Sequence, residues 1–326
     1  MKLIRNLKLI PVLLMLGLFV SCSKKGVKPG VAKDTIVGQP PATWQEHWFA
    51  HTKLLSVTYY DNQIAVYHDD GMDPYIQWDQ AQIGNAWKYV KKTYGPYGDS
   101  TRLYFVMHGI PPDADADEAT YGGGHPAPYY DPSHDYRNTI DCGLSNYTWG
   151  SPTGDAIRIP LHEIGHIVAS SSYGMTHDLN AGIWGDSKFA EIFIYDVLMN
   201  IGRQDEAASV FNQLANAQWT STDDDSATQN ENYPGVDFFH DWFYPIYTKY
   251  GKGALLAKYF KEQSDNIDHN RSANLNLGEF VHFYSGAAGV NLTDQAKIAF
   301  GEAWDATAEA QLKQAQIDYP GVKYPY

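Results

Sequence analysis

The apolar periodicity of this chain changes once, near residue 150, and that change restricts the architectures open to it. Before it, Leu54 to Tyr60 and Gln63 to His68 are rich in Val, Ile, Leu and Tyr and are separated by Asp61-Asn62, which predicts a hairpin. Ile76 to Tyr94 places Ile83, Trp87 and Val90 at helical spacing and stops at Gly95. Leu103 to His108 is a short apolar strand, and a further strand is expected between Asn138 and Trp149. The stretch 109–138 between them is loaded with Gly, Pro, Asp and Tyr and has no period; a loop that long in a compact domain is usually functional. Beyond residue 155 the pattern is helical, with helices expected near 156–173, 187–202, 205–217, 236–265, 275–287 and 293–316. Strands first and helices later make an α+β fold, a small N-terminal mixed sheet followed by a mainly helical C-terminal half.

The first residues read as an address. Lys2, Arg5 and Lys8 precede an apolar run from Leu9 to Val20, too short to span a bilayer and closed by the small Ser21. This predicts a secretory signal peptide over residues 1–21. Phe19-Val20-Ser21-Cys22 resembles the lipobox of bacterial lipoproteins, which implies cleavage before Cys22 and lipidation of that cysteine. Each buried methylene of the acyl chains adds roughly 0.8 kcal/mol of membrane affinity. Ser23 at the next position, by the same resemblance, favours the outer membrane of a Gram-negative bacterium. Residues 22–41, punctuated by Pro29-Gly30 and Pro40-Pro41, read as lipid anchor and tether. No repeat or second linker follows, so residues 42–326 are expected to form one domain, a monomer that meets the membrane only through its N-terminal lipid.

Charge and cysteine content exclude other classes. With 24 Lys and Arg against 38 Asp and Glu the formal charge is −14, and losing the three basic residues of the leader takes it to −17. A nucleic-acid partner is not expected, because phosphate neutralisation requires a Lys/Arg surface. The only cysteines, Cys22 and Cys142, cannot build a disulfide scaffold or a Cys-rich zinc module. Cys142 reads as a small buried hydrophobe.

Residues 162–166 read His162-Glu163-Ile164-Gly165-His166. On a helix, His at i and i+4 stand one above the other, so both imidazoles can converge on one metal ion. Glu163 is rotated by about 100° from His162, a position from which a carboxylate can act as general base on a water at the metal. Leu161, Ile164 and Val168 form an apolar stripe that buries one side of the helix. Thr153 and Asp155 are the candidate caps. Gly165 costs about 1 kcal/mol relative to Ala in a helix interior, which a close approach by a neighbouring element would justify.

The segment resembles the HExxH zincin metallopeptidases. The metzincin continuation is absent, since Ala169 and Ser172 stand at its positions. The gluzincin branch takes its third ligand from a Glu on a later helix, and Glu191, among Ala190, Ile192 and Phe193, fits that role. A carboxylate in such surroundings needs a cation or a hydrogen-bond partner. His177, Asp178 and Asp186 are its rivals. The resemblance implies one Zn²⁺ per chain on His162, His166 and Glu191, and a zinc-dependent endopeptidase that cleaves polypeptides or glycoproteins with Glu163 as base. It also implies an oxyanion donor from downstream, for which Tyr244 and His240 are the candidates, with Tyr247, Tyr173 and His177 behind them. The strand before the active helix, about 139–148, would be the edge along which extended substrates pair. Gly122-Gly123-Gly124-His125 reads as a flexible loop, and Asp223-Asp224-Asp225 as a solvated acidic loop rather than a Ca²⁺ site. Two other readings are carried beside this one: a glycan- or glycoprotein-binding lipoprotein on the same scaffold, and a zinc amidase acting on cell-wall material.

Overall fold

The computed structural model describes residues 38–98, 102–215, 233 and 235–325. The expected signal peptide, Cys22, most of the tether and the Asp223–Asp225 loop lie outside the described residues. The last residues of the segment expected as a tether are bonded to the body: the Pro41 carbonyl accepts the Tyr67 hydroxyl at 2.7 Å and the Gly38 carbonyl accepts Arg102 at 2.8 Å.

The fold is α+β. Six strands, β1 (Thr43–Gln45), β2 (Leu54–Tyr60), β3 (Ile64–His68), β4 (Leu103–Ile110), β5 (Gly123–Ala127) and β6 (Asn138–Ser145), form one sheet in the order β1-β2-β3-β4-β6-β5. β3 and β6 each pair parallel with β4, and the outer pairs are antiparallel. The expected hairpin is present as β2 and β3, turned by Asp61, whose carboxylate accepts the backbone N–H of Gln63 (2.6 Å) and Ile64 (2.9 Å). Two expectations are corrected here. The strand before the HExxH helix, β6, is interior, and on that side of the sheet the edge belongs to β5. The segment taken as a flexible glycine loop is that edge strand.

β3 is buried throughout and β4 over all but its last residue, because both faces of the sheet are covered. On one face Ile64, Val66, Leu103, Phe105, Met107, Ile140 and Cys142 join the main helical core; on the other Leu55, Ala65, Tyr67, Tyr104 and Val106 lie under Trp44 and Trp48. Strand alternation therefore sends neighbouring residues of β4 and β6 to opposite faces.

The helices are α1 (Trp78–Tyr94), the single turns α2 (Ala116–Ala119) and α3 (Asn146–Trp149), then α4 (Asp155–Ser171), the single turn α5 (Ala181–Trp184), α6 (Lys188–Asn200), α7 (Gln204–Ala215), α8 (Tyr244–Tyr250), α9 (Gly253–Asn266), α10 (Leu277–Ala288), α11 (Thr293–Phe300) and α12 (Ala306–Asp318). The segment 236–265, expected as one helix, is a π-helical stretch Phe238–Phe243 followed by α8 and α9, which part at Gly251 (φ 124°) and Lys252 (φ 59°). The segment 293–316 likewise breaks after α11, at Gly301 (φ 50°). No helix among the described residues is long and apolar enough to cross a membrane.

α4 lies between the sheet and α6. Its fully buried Ile157, Leu161, Ile164 and Val168 each contribute roughly 1.5–3 kcal/mol and fix its rotation. Gly165 is explained as anticipated, since a Cβ there would meet Phe193 Cδ1 at 3.2 Å and Ala190 Cα at 3.6 Å of α6. The cap differs from expectation: Gly154 is the N-cap residue, and its N–H is bound by Glu206 at 3.1 Å. α6 is tied in turn to α1 and α8 by Asp196, which accepts the hydroxyls of Tyr89 (2.7 Å), Tyr94 (2.6 Å) and Tyr247 (2.8 Å).

Candidate functional site

The stripe that buries α4 turns the HExxH side chains toward β5. His162 and His166, one turn apart, bring their Nε2 atoms to 3.0 Å of each other, and Asp186 Oδ1 lies 3.6 Å from His166 Nε2. Ligand atoms bonded to one ion at about 2.1 Å in a tetrahedron stand about 3.4 Å apart, so these three atoms have the spacing of a shared cation. Burial lowers the pKa of both histidines, to about 4 for His162, where the neighbouring His166 adds to the effect. Neutral rings present lone pairs, the form a metal binds.

Glu163 is 5% exposed and lies beneath the edge strand. A Cβ on Gly124 would stand 2.6 Å from its Oε1, so only glycine at that point of β5 leaves room for the carboxyl. Burial, helped by the carboxylates of Asp186 and Asp141, pushes Glu163 up to about 8. A divalent cation beside it would favour the carboxylate and draw that value down. Cys142 of β6, on the same face, is a free buried thiol held protonated by burial, then by Glu163 and Asp141.

A cleft of about 470 Å³ opens beside the histidines, lined by Pro126, Tyr130, His166, Ser170, Asp178 and Asp186 among others. It begins at the free edge of β5, where an extended chain can add as a strand.

The sequence candidates are placed unevenly. His162, Glu163 and His166 are together. Glu191 is not grouped with the histidines: its carboxylate is 2.8 Å from Lys188 Nζ one turn earlier, and burial raises it to about 7 against the pull of that lysine. The acid that stands with the histidines is its rival Asp186, in the turn between α5 and α6. Asp178 caps the turn instead, accepting Asn180 N–H (2.8 Å) and Trp184 Nε1 (3.0 Å). His177 is exposed and contacts Thr176 Oγ1 at 3.1 Å.

Neither oxyanion candidate is joined to the site. His240 is exposed and its Nδ1 lies 2.6 Å from Asp241. The Tyr244 ring packs on Tyr195, Phe211 and Phe239. Tyr130, which lines the cleft and donates to the Ser170 carbonyl at 3.3 Å, was not singled out by the sequence.

Among the described residues there are two groups of metal-ligating side chains, not the one expected: His162, His166 and Asp186, and a buried set of Glu46, His51, His108 and Asp141. The chain can therefore hold a metal ion. No family model matches the sequence, and no curated protein matches it either.

Proposed function

We propose that this chain is a zinc-dependent endopeptidase of the zincin type, exported and lipid-anchored at the outer membrane, which hydrolyses polypeptides or glycoproteins. The observation that carries this reading is the paired Nε2 atoms of His162 and His166, 3.0 Å apart, with the buried Glu163 between them and the edge strand β5. Three protein ligands leave one position of a tetrahedron open, the arrangement of a catalytic rather than a structural site.

A zinc ion held by His162, His166 and Asp186 would polarise a peptide carbonyl and acidify a water. Glu163 would take a proton from the attacking water and later deliver it to the departing amine. Gly124 keeps the carboxyl covered, and β5 aligns the peptide along the cleft. With Asp186 rather than Glu191 as third ligand, the site departs from the gluzincin pattern.

The test of the reading is hydrolysis and its dependence on metal. The purified protein is expected to cleave casein or a mucin-type glycoprotein, to stop when stripped by a chelator, and to recover when zinc is restored. A protein that carries zinc yet cleaves neither would sink it.

The ligand assignment has its own check. Asp186→Ala is expected to weaken the hold on that metal by more than the roughly 10–100-fold that loss of an outer partner costs, whereas Glu191→Ala leaves it close to wild type. Competition against a chromophoric chelator measures both. Equal losses in the two variants, or loss in Glu191→Ala alone, would return the ligand to Glu191.

A further inference from the structure

Four side chains converge on the sheet face opposite α4. Glu46 follows β1, His51 lies in the loop before β2, His108 is near the end of β4, and Asp141 is in β6. They are 2%, 5%, 0% and 1% exposed. His108 Nε2 is 3.1 Å from Glu46 Oε1 and 2.9 Å from Asp141 Oδ1; His51 Nδ1 is 3.1 Å from Asp141 Oδ2 and 3.8 Å from Glu46 Oε1. These separations bracket the 3.4 Å or so expected between ligands of one tetrahedral ion with bonds of about 2.1 Å.

The outward atom of each group is already engaged. His108 Nδ1 is 3.0 Å from Asp69 Oδ2, and Asp69 is itself 2.7 Å from Lys53 Nζ. His51 Nε2 is 3.2 Å from the Thr120 carbonyl. An acceptor at each of these nitrogens places the ring proton there and leaves His108 Nε2 and His51 Nδ1 as inward lone pairs. Glu46 Oε2 accepts the Lys53 N–H at 2.9 Å, and Asp141 Oδ2 accepts Trp48 Nε1 at 2.8 Å. With both rings neutral in that tautomer, what faces inward is a set of acceptors with no donor among them. Glu46 Oε1 and His108 Nε2, although close, have no hydrogen bond of acceptable geometry. Two buried carboxylates without a countercharge would be strongly destabilising. Asp69 is already matched by Lys53, so the charges of Glu46 and Asp141 are left to be balanced, either by a dication or by protons on His51 and His108.

We propose that Glu46, His51, His108 and Asp141 form a second metal site that takes a divalent transition cation of the zinc class and clasps the Trp44–Lys53 segment to β4 and β6. Two imidazole nitrogens argue against Ca²⁺ and Mg²⁺, which take oxygen ligands. All four positions are filled by protein, so the site has the closed form of a structural centre. It would hold down the segment that carries Trp44 and Trp48, the cover of the smaller core. The competing occupant is a proton. Without a cation, protons on the two rings, facing the carboxylates of Asp141, Asp69 and Glu46, would take its place.

Elemental analysis of the full protein loaded with Zn²⁺ and desalted separates the two occupants, and it does so independently of the HExxH reading. Wild type is expected to retain two zinc ions per chain. The His162→Ala/His166→Ala variant, in which this second site is intact, should retain one, and Co²⁺ in its place should show the intense visible absorption of a tetrahedral ion. Adding His108→Ala or the near-isosteric Asp141→Asn to that variant should take the count from one to zero. A folded His162→Ala/His166→Ala variant that retains no metal would overturn the proposal and leave the proton as occupant. So would a count unchanged by both second-site substitutions.

Discussion

Glu163→Gln is expected to abolish hydrolysis and leave the metal content unchanged. The amide has the shape of the carboxyl and fits the same space beneath Gly124, where a Cβ would already stand 2.6 Å from Glu163 Oε1. It cannot take a proton from water. General acid–base catalysis contributes about 10²–10⁴-fold, so kcat should fall by roughly 10³-fold, with little change in KM because, on the proposed reading, β5 and the cleft would hold the peptide. Glu163→Ala would be less informative, since it opens a void under the edge strand. Initial rates on casein, taken beside elemental analysis of the same samples, make the measurement. A variant that keeps a tenth of the wild-type kcat would remove Glu163 from the role of base.

The second large effect is on stability. Asp79 lies in the first turn of α1, fully buried, with carboxyl oxygens that accept no hydrogen bond from another residue. A helix N-terminus favours a negative charge, but burial dominates and raises this carboxyl from 3.8 to about 7. At low pH the folded and unfolded states both hold the proton. As pH rises from about 4 to about 7, the unfolded chain ionises while the folded one does not, and stability falls by about 1.4 kcal/mol per unit. Above that window the loss is complete, at about 4 kcal/mol.

Asp79→Asn removes the titration and keeps the shape. The variant should therefore be the more stable protein at pH 8, and its advantage should shrink by about 3 kcal/mol on going to pH 5. Urea unfolding midpoints at pH 5, 6.5 and 8 would show it. A difference between the two proteins that does not vary with pH would mean that Asp79 is ionised in the folded state.

The elements legible in the sequence were those whose residues carry their own signal. The β2–β3 hairpin, α1, β4 and the HExxH helix all have clear apolar periods. β5 does not. Gly-Gly-His-Pro-Ala has no β-branched residue, and its strand form comes from pairing with β6. Its glycine is there because Glu163 needs the space, a tertiary requirement that no local pattern encodes. The long helix expected over 236–265 breaks where Lys252 joins Gly251 at positive φ, and a lysine gives no warning of that.

The grouping of Asp186 with the histidines escaped the sequence for a related reason. Glu191 has the apolar neighbours of a buried ligand, but Lys188 one turn earlier satisfies it, and the more exposed Asp186 lies closer to the histidines. The second cluster is spread from residue 46 to residue 141 and forms no motif. Its one local trace is a polar residue at an inward strand position, His108 after Leu103–Met107 and Asp141 between Ile140 and Cys142.

The parallel pairs at the centre of the sheet also govern how fast this chain can find its fold. Ile64 must meet Leu103, and Leu103 must meet Asn138, before either pair gains a ladder of hydrogen bonds. Loop closure over such separations precedes any reward, whereas the helices after residue 155 can form from near neighbours. The helical half therefore offers a surface on which the strands condense. A newly made chain spends its most vulnerable interval with apolar strands such as Leu103–Met107 still unpaired, and that interval, more than the final stability, sets its exposure to aggregation and proteolysis.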